Sequence, residues 1–113
     1  MKIVSSEQIV GGYNPLDWNG DGDIYKSTND SFLFSFTDRN NLQSARVGYC
    51  SSKNYAIRCH SRYGPMFGSG SDLYYRSNNT CYSTTNSYPK VGIPSGEFII
   101  SDYEVFQVTK RYF

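Results

Sequence analysis

Residues 31–36 read Ser-Phe-Leu-Phe-Ser-Phe, an alternation that places Phe32, Phe34 and Phe36 on one face of an extended chain and that a repeat of 3.6 residues would scatter. The stretch is predicted as a central strand, its three rings buried together with Trp18. Residues 45–50 and 55–60 also alternate, the second with Tyr55, Ile57 and Cys59 inward and Arg58 and His60 outward, as in strands with one wet face. Residues 72–76 give a further short strand, and residues 77–86, rich in Ser, Thr and Asn, read as a mobile loop. The run 97–112 is rich in β-branched and aromatic residues and is predicted as two strands joined by a bend at Ser101-Asp102. Only residues 38–45 suggest a turn of helix. The pattern therefore predicts a mostly β fold, a sandwich-like pair of antiparallel sheets with at most short helical turns.

Composition narrows this picture. The chain has 113 residues, room for one domain spanning residues 1–113 and one modest core. Eleven Lys plus Arg against ten Asp plus Glu give a net charge of +1, without the basic excess that binding to a phosphate backbone draws on; nucleic acid is not an expected partner. No apolar run reaches the length of a signal peptide or a membrane span, so an intracellular, cytoplasmic protein without membrane insertion is expected. Cys50, Cys59 and Cys81 are an odd number, which fits reduced thiols better than a disulfide framework. The sequon Asn78-Asn79-Thr80 then reads as a polar turn.

Candidate chemistry is sparse. Asp17, Asn19, Asp21 and Asp23, with Gly22 between the last two, follow the first two-thirds of a calcium loop, because Ca²⁺ wants oxygen ligands around a sharp turn. Position 12 of that loop is Thr28 where a bidentate Glu belongs, and the flanks are a turn and a Phe-rich strand where two helices belong. A calcium-binding module is thus the alternative reading, and a solvated acidic loop the preferred one. Cys50, Cys59, His60 and Cys81 lack the short Cys-x-x-Cys spacing of a zinc site. His60 is the only histidine, and no nucleophile elbow or phosphate-binding glycine loop accompanies it. No enzyme, no metal and no cofactor is expected.

Four segments, in order, carry a resemblance: Gly11-Gly12-Tyr13-Asn14-Pro15-Leu16-Asp17-Trp18, the 31–36 strand with Phe34, Tyr63-Gly64-Pro65-Met66-Phe67-Gly68 with Asp72-Leu73, and Tyr103-Glu104-Val105-Phe106. Together they resemble the later part of a TLDc domain. The paired glycines permit a positive φ or a close backbone approach of the kind tight β connections need, and Pro15 fixes a turn. The family domain has a further portion ahead of these segments, so the resemblance implies a truncated TLDc domain, marginally stable and prone to associate. It also implies a non-catalytic protein-interaction module linked to oxidative-stress resistance and to contact with the vacuolar-type proton ATPase.

Overall fold

The computed structural model describes residues 1–104 except 5, 17–22, 39, 52, 61–65 and 70–71. The described residues form ten strands: β1 (Lys2–Ile3), β2 (Ile9–Tyr13), β3 (Asp23–Lys26), β4 (Phe32–Phe36), β5 (Ala45–Tyr49), β6 (Ile57–His60), β7 (Met66–Phe67), β8 (Leu73–Ser77), β9 (Thr80–Ser83) and β10 (Gly96–Asp102). Short 3-10 turns at Leu42–Ser44 and Lys53–Tyr55 complete them. No helix among the described residues is long and apolar enough to cross a membrane.

The fold is mostly β, as the alternation predicts, and its two leaves are halves of one antiparallel sheet in the order β3-β6-β7-β8-β9-β10-β1-β2-β4-β5. Strand β10 is long enough to belong to both leaves. Its first half pairs with β9, Phe98 opposite Cys81, and its second half pairs with β1, Ile100 opposite Ile3 and Asp102 opposite Lys2. The sheet curls there, so that Val10 and Leu33 of one leaf share a core with Ile57, Cys59, Phe67, Leu73 and Cys81 of the other. A Cβ on Gly12 would lie 2.4 Å from the Phe67 ring: the bare backbone of β2 is the floor on which the facing leaf rests a phenyl group.

Four expectations are corrected by this arrangement. Gly11 and Gly12 lie inside β2, not in a turn, and each is covered by a ring, Phe34 over Gly11 and Phe67 over Gly12. Residues 77–86 are not a loop throughout, because β8 and β9 form a hairpin around Asn78 and Asn79, whose φ values of 52° and 59° are those of a primed turn matched to strand twist. The irregularity expected at Ser101-Asp102 is a shift of register inside one strand, since β10 extends to Asp102 but Ile3 opposes Ile100 and Lys2 opposes Asp102, leaving Ser101 as the extra residue; residues 105–112 lie outside the described residues. Finally, Phe32, Phe34 and Phe36 are only half-buried, and the inward positions of β4 are Leu33 and Ser35.

The reversal on β4 has a physical cause. The inner face of β4 and β5 is occupied by the chain between β9 and β10: Pro89 and Val91 sit so close to Gly48 that a Cβ there would meet them at 2.5 and 2.9 Å. Three phenyl rings do not fit beneath: the inner face of β4 carries Leu33 and Ser35, whose hydroxyl donates to the Val91 carbonyl, and Ser31 is likewise fully buried. The phenylalanines are left to pack on one another outside. Tyr55 is also outward, 45% exposed at the end of a 3-10 turn, whereas Ile57 and Cys59 are buried as expected.

Candidate functional site

Between β9 and β10 the chain crosses the inner face of β4 and β5 as a strap, residues 84–95. Its anchor is Asp72, 2% exposed at the start of β8. The carboxylate accepts N–H bonds from three successive strap residues: Asn86 to Oδ2 at 2.8 Å, Ser87 to Oδ1 and Oδ2 at 3.0 and 2.9 Å, and Tyr88 to Oδ2 at 2.9 Å. Such a carboxylate is a buried charge made tolerable by several aligned donors. The Asp72 carbonyl in turn accepts from the Ser83 hydroxyl at 2.6 Å, and its N–H donates to the Phe67 carbonyl at 2.8 Å. Gly68, at φ +82°, completes the turn into this arrangement; a Cβ there would fall 2.0 Å from Asp72 Oδ1.

Further along the strap, the Tyr88 hydroxyl reaches the Ala56 carbonyl and lies 2.8 Å from Ser31 Oγ, which itself lies 2.9 Å from the Tyr13 carbonyl. One buried chain of polar groups thus joins the strap, the start of β6 and the end of β2. Burial holds the Tyr88 phenol well above its ordinary range, with the Ser31 hydrogen bond acting in the opposite direction. Gln8 closes the far end of the strap, donating from Nε2 to the Gly92 carbonyl at 2.7 Å. Beside Asp72 a cleft lined by Leu33, Thr84, Pro89, Lys90 and Ile93 holds about 10 Å³, the space of a single water.

The other feature of this leaf is its outer face. The register places Tyr13, Phe32 and Tyr49 in one row, Gly11, Phe34 and Val47 in the next, and Ile9, Phe36 and Ala45 in the third. Rings meet along it: Tyr13 to Phe32 at 5.3 Å, Phe32 to Tyr49 at 5.2 Å and Phe34 to Phe36 at 5.8 Å between centroids, all within the range of favourable aromatic pairs. Val47 and Tyr49 are more than half exposed. Contiguous apolar surface of this kind, rather than a scattered residue, is what marks a binding face.

The family sequence model for the TLDc domain matches residues 2–109, nearly the full length of the chain. The chain belongs to the TLDc domain family. No curated protein and no solved structure matches it.

Within this TLDc domain, the motif residues seen in the sequence take distinct places. Phe67, Gly68, Asp72 and Leu73 come together under the strap, all buried. Gly11, Gly12, Tyr13 and Phe34 belong to the β2–β4 ladder, Gly12 on its inner face and the other three on its outer face; Pro15 is exposed in the turn after β2 and Glu104 is exposed beyond β10. Trp18, Gly64, Pro65, Val105 and Phe106 lie outside the described residues, as do Asp17, Asn19 and Asp21 of the acidic loop; Asp23 opens β3. Among the described residues no group of three or more His, Cys, Asp or Glu is placed to hold a metal.

The thiols differ in setting. Cys81 is fully buried, and burial pushes its pKa up to about 11 while the chain's terminal ammonium pulls the other way; Cys59 is buried and Cys50 half-buried. Sequence reasoning marked Asp72 only as a motif residue and missed Ser87 and Tyr88, its ligands on the strap. No local pattern marks them, because the Asp72 partners are backbone amides 14 to 16 residues further on.

Proposed function

We propose that this TLDc domain is a non-catalytic protein-interaction module, working in the cytoplasm, whose partner-facing surface is the outer face of β2, β4 and β5. The observation that carries the reading is the aromatic and aliphatic sheet face ending in Val47 and Tyr49, 54% and 55% exposed. Burial with well-shaped neighbours would recover about 1.5–3 kcal/mol for a fully covered side chain of this size, which is the scale of interface hot spots. The interior supports the same reading, since Asp72, Tyr88, Ser31 and Ser35 are committed to holding the strap.

By its family likeness the module serves oxidative-stress resistance through contact with the vacuolar-type proton ATPase. The test is binding of the purified chain to the purified cytoplasmic sector of that ATPase by interferometry, beside a Val47→Ser, Tyr49→Ser double variant. Saturable micromolar binding that the double variant loses supports the reading. Absence of binding by a folded chain, or equal binding by both proteins, would sink it.

A further inference from the structure

Among the described residues strand β5 ends the sheet, and the register fixes where its backbone groups point. Cys50 donates its N–H to the Ser31 carbonyl at 3.2 Å, and these two residues stand opposite each other one step beyond the Phe32↔Tyr49 pair. Hydrogen-bonded pairs alternate with non-bonded ones in an antiparallel ladder. Leu33↔Gly48 and Ser35↔Arg46 are therefore the bonded pairs, and Ala45, Val47 and Tyr49 turn their N–H and C=O groups away from β4, toward the open edge. The same three residues set their side chains on the outer face, beside the phenylalanine row.

Exposure across that face is uneven. Phe32, Phe34 and Phe36 are half-buried under one another, whereas Val47 and Tyr49 are over half exposed. What stands open is a flank and a backbone edge, and that shape suits an added strand better than a helix laid across the rings. Charge then states what the added strand carries. Arg46 lies on the other face of β5, exposed, and its side chain makes no hydrogen bond or ion pair among the described residues; its guanidinium lies beside Gly92. A side chain directly across a strand pair stands about 4.5–5.5 Å away, so an acidic residue opposite Arg46 is favoured and a basic one is repelled. A second copy of this chain fits less well. Antiparallel pairing centred on Val47 would oppose Arg46 to the neutral Gly48 and hold the two arginines on one face about 7–8 Å apart.

We propose that β5 takes up, by strand addition, an extended segment of a protein partner that is apolar at the alternate positions beside Tyr49, Val47 and Ala45 and acidic at the position beside Arg46. The proposal rests on the reading of the domain as a protein-interaction module, and names the edge and the chemistry of what binds it. The edge supplies three outward N–H and three outward C=O groups for affinity, and the flanking side chains supply selectivity.

The probe is a labelled synthetic peptide, acetyl-Thr-Val-Thr-Ile-Glu-Phe-Thr-amide, read by fluorescence anisotropy against the full chain. Antiparallel addition sets its Val, Ile and Phe beside Tyr49, Val47 and Ala45, and its Glu beside Arg46. Saturable binding is expected, weakened roughly tenfold or more, as loss of a single hydrogen bond implies, when the Ile amide is N-methylated. Val47→Pro is expected to produce the same loss while keeping a cooperative melt, because proline is tolerated where an edge N–H faces outward. Arg46→Glu should reverse the preference between this peptide and its Glu-to-Lys analogue.

No saturation up to about 1 mM, the weak end of specific affinity, would overturn the proposal, as would equal binding of the N-methylated peptide. A bound peptide that turns helical and shifts the amide signals of Phe32, Phe34 and Phe36 would place the site on the ring face instead. Concentration-dependent dimerisation abolished by Val47→Pro, with no peptide binding, would assign the edge to a second copy. If the ATPase sector binds wild type and both β5 variants alike, the edge is wrong and the interaction-module reading stands; if the peptide binds as described and the ATPase does not, the named partner is wrong and the edge stands.

Discussion

Asp72→Ala removes one side chain and orphans a run of backbone. Ser87 and Tyr88, both buried, lose the acceptor of their N–H groups, and Asn86 loses a bond at 2.8 Å. A buried donor left without a partner costs about 1–3 kcal/mol, and bonds to a charged acceptor sit at the upper end; Asn86 is exposed and water replaces its bond. Two buried donors, offset by release from burying a carboxylate, give a net loss of about 3–4 kcal/mol. Against a total stability of about 5–15 kcal/mol, the domain should still fold, with a melting temperature lowered by roughly 15 °C. Thermal unfolding by circular dichroism measures the loss, and hydrogen exchange locates it: Ser87 and Tyr88 amides should exchange orders of magnitude faster while β6 and β8 keep more of their protection. A loss below about 1 kcal/mol, or faster exchange spread evenly over the sheet, would refute the claim that this carboxylate holds the strap.

Gly12→Ala should destabilise by about 1–3 kcal/mol through overpacking, because the new methyl would stand 2.4 Å from a Phe67 ring that already meets Tyr88 edge-on at 6.1 Å between centroids; a neutral substitution in a melting experiment would show that the leaves separate easily. Stability should be flat from neutral pH to about 9 and fall as pH rises from there toward 11, since burial raises the Cys81 thiol from 9.0 to about 11 and above pH 9 the unfolded chain gives up a proton that the folded one keeps; Cys81→Ala should flatten the first part of that decline, and an unchanged profile would contradict it. Aromatic disulfide reagents should modify half-buried Cys50 before buried Cys59 and Cys81, an order that mass spectrometry after brief exposure checks. Calorimetric titration with Ca²⁺ should show no sub-millimolar binding; heat that Asp17→Ala abolishes would establish the calcium reading.

Periodicity of two was enough to find β4, β5, β6 and β8, because each holds at least four residues whose side chains sort by face. It could not say which face of β4 is inner. The usual rule sends the larger apolar set inward, and here three phenylalanines lose to Leu33 and Ser35 because a strap whose Val91 lies 56 residues beyond Ser35 already fills the space. The β8–β9 hairpin was legible in principle, since two adjacent asparagines separate Tyr-Tyr-Arg-Ser from Thr-Cys-Tyr-Ser and asparagine tolerates the left-handed region; its polar composition masked it. Strand β1 has two residues and no period to detect. The Asp72 anchor was visible as a residue and invisible as a device, because its partners are backbone amides, which carry no sequence signature.

The position of β1 has a temporal consequence. Lys2 pairs with Ile9 on one side and with Asp102 on the other, so an element near the beginning of the chain finds its second neighbour only after about a hundred intervening residues have been made. At ribosomal speeds of about 5–20 residues per second, strands β2, β4 and β5 have been made for seconds before β10 emerges to close the curl. Closure over so long a span is entropically slow. The chain therefore passes through an interval in which Val10, Leu33 and the bare backbone at Gly12 wait for the curl to close over them, an interval whose length is set by how quickly β10 arrives.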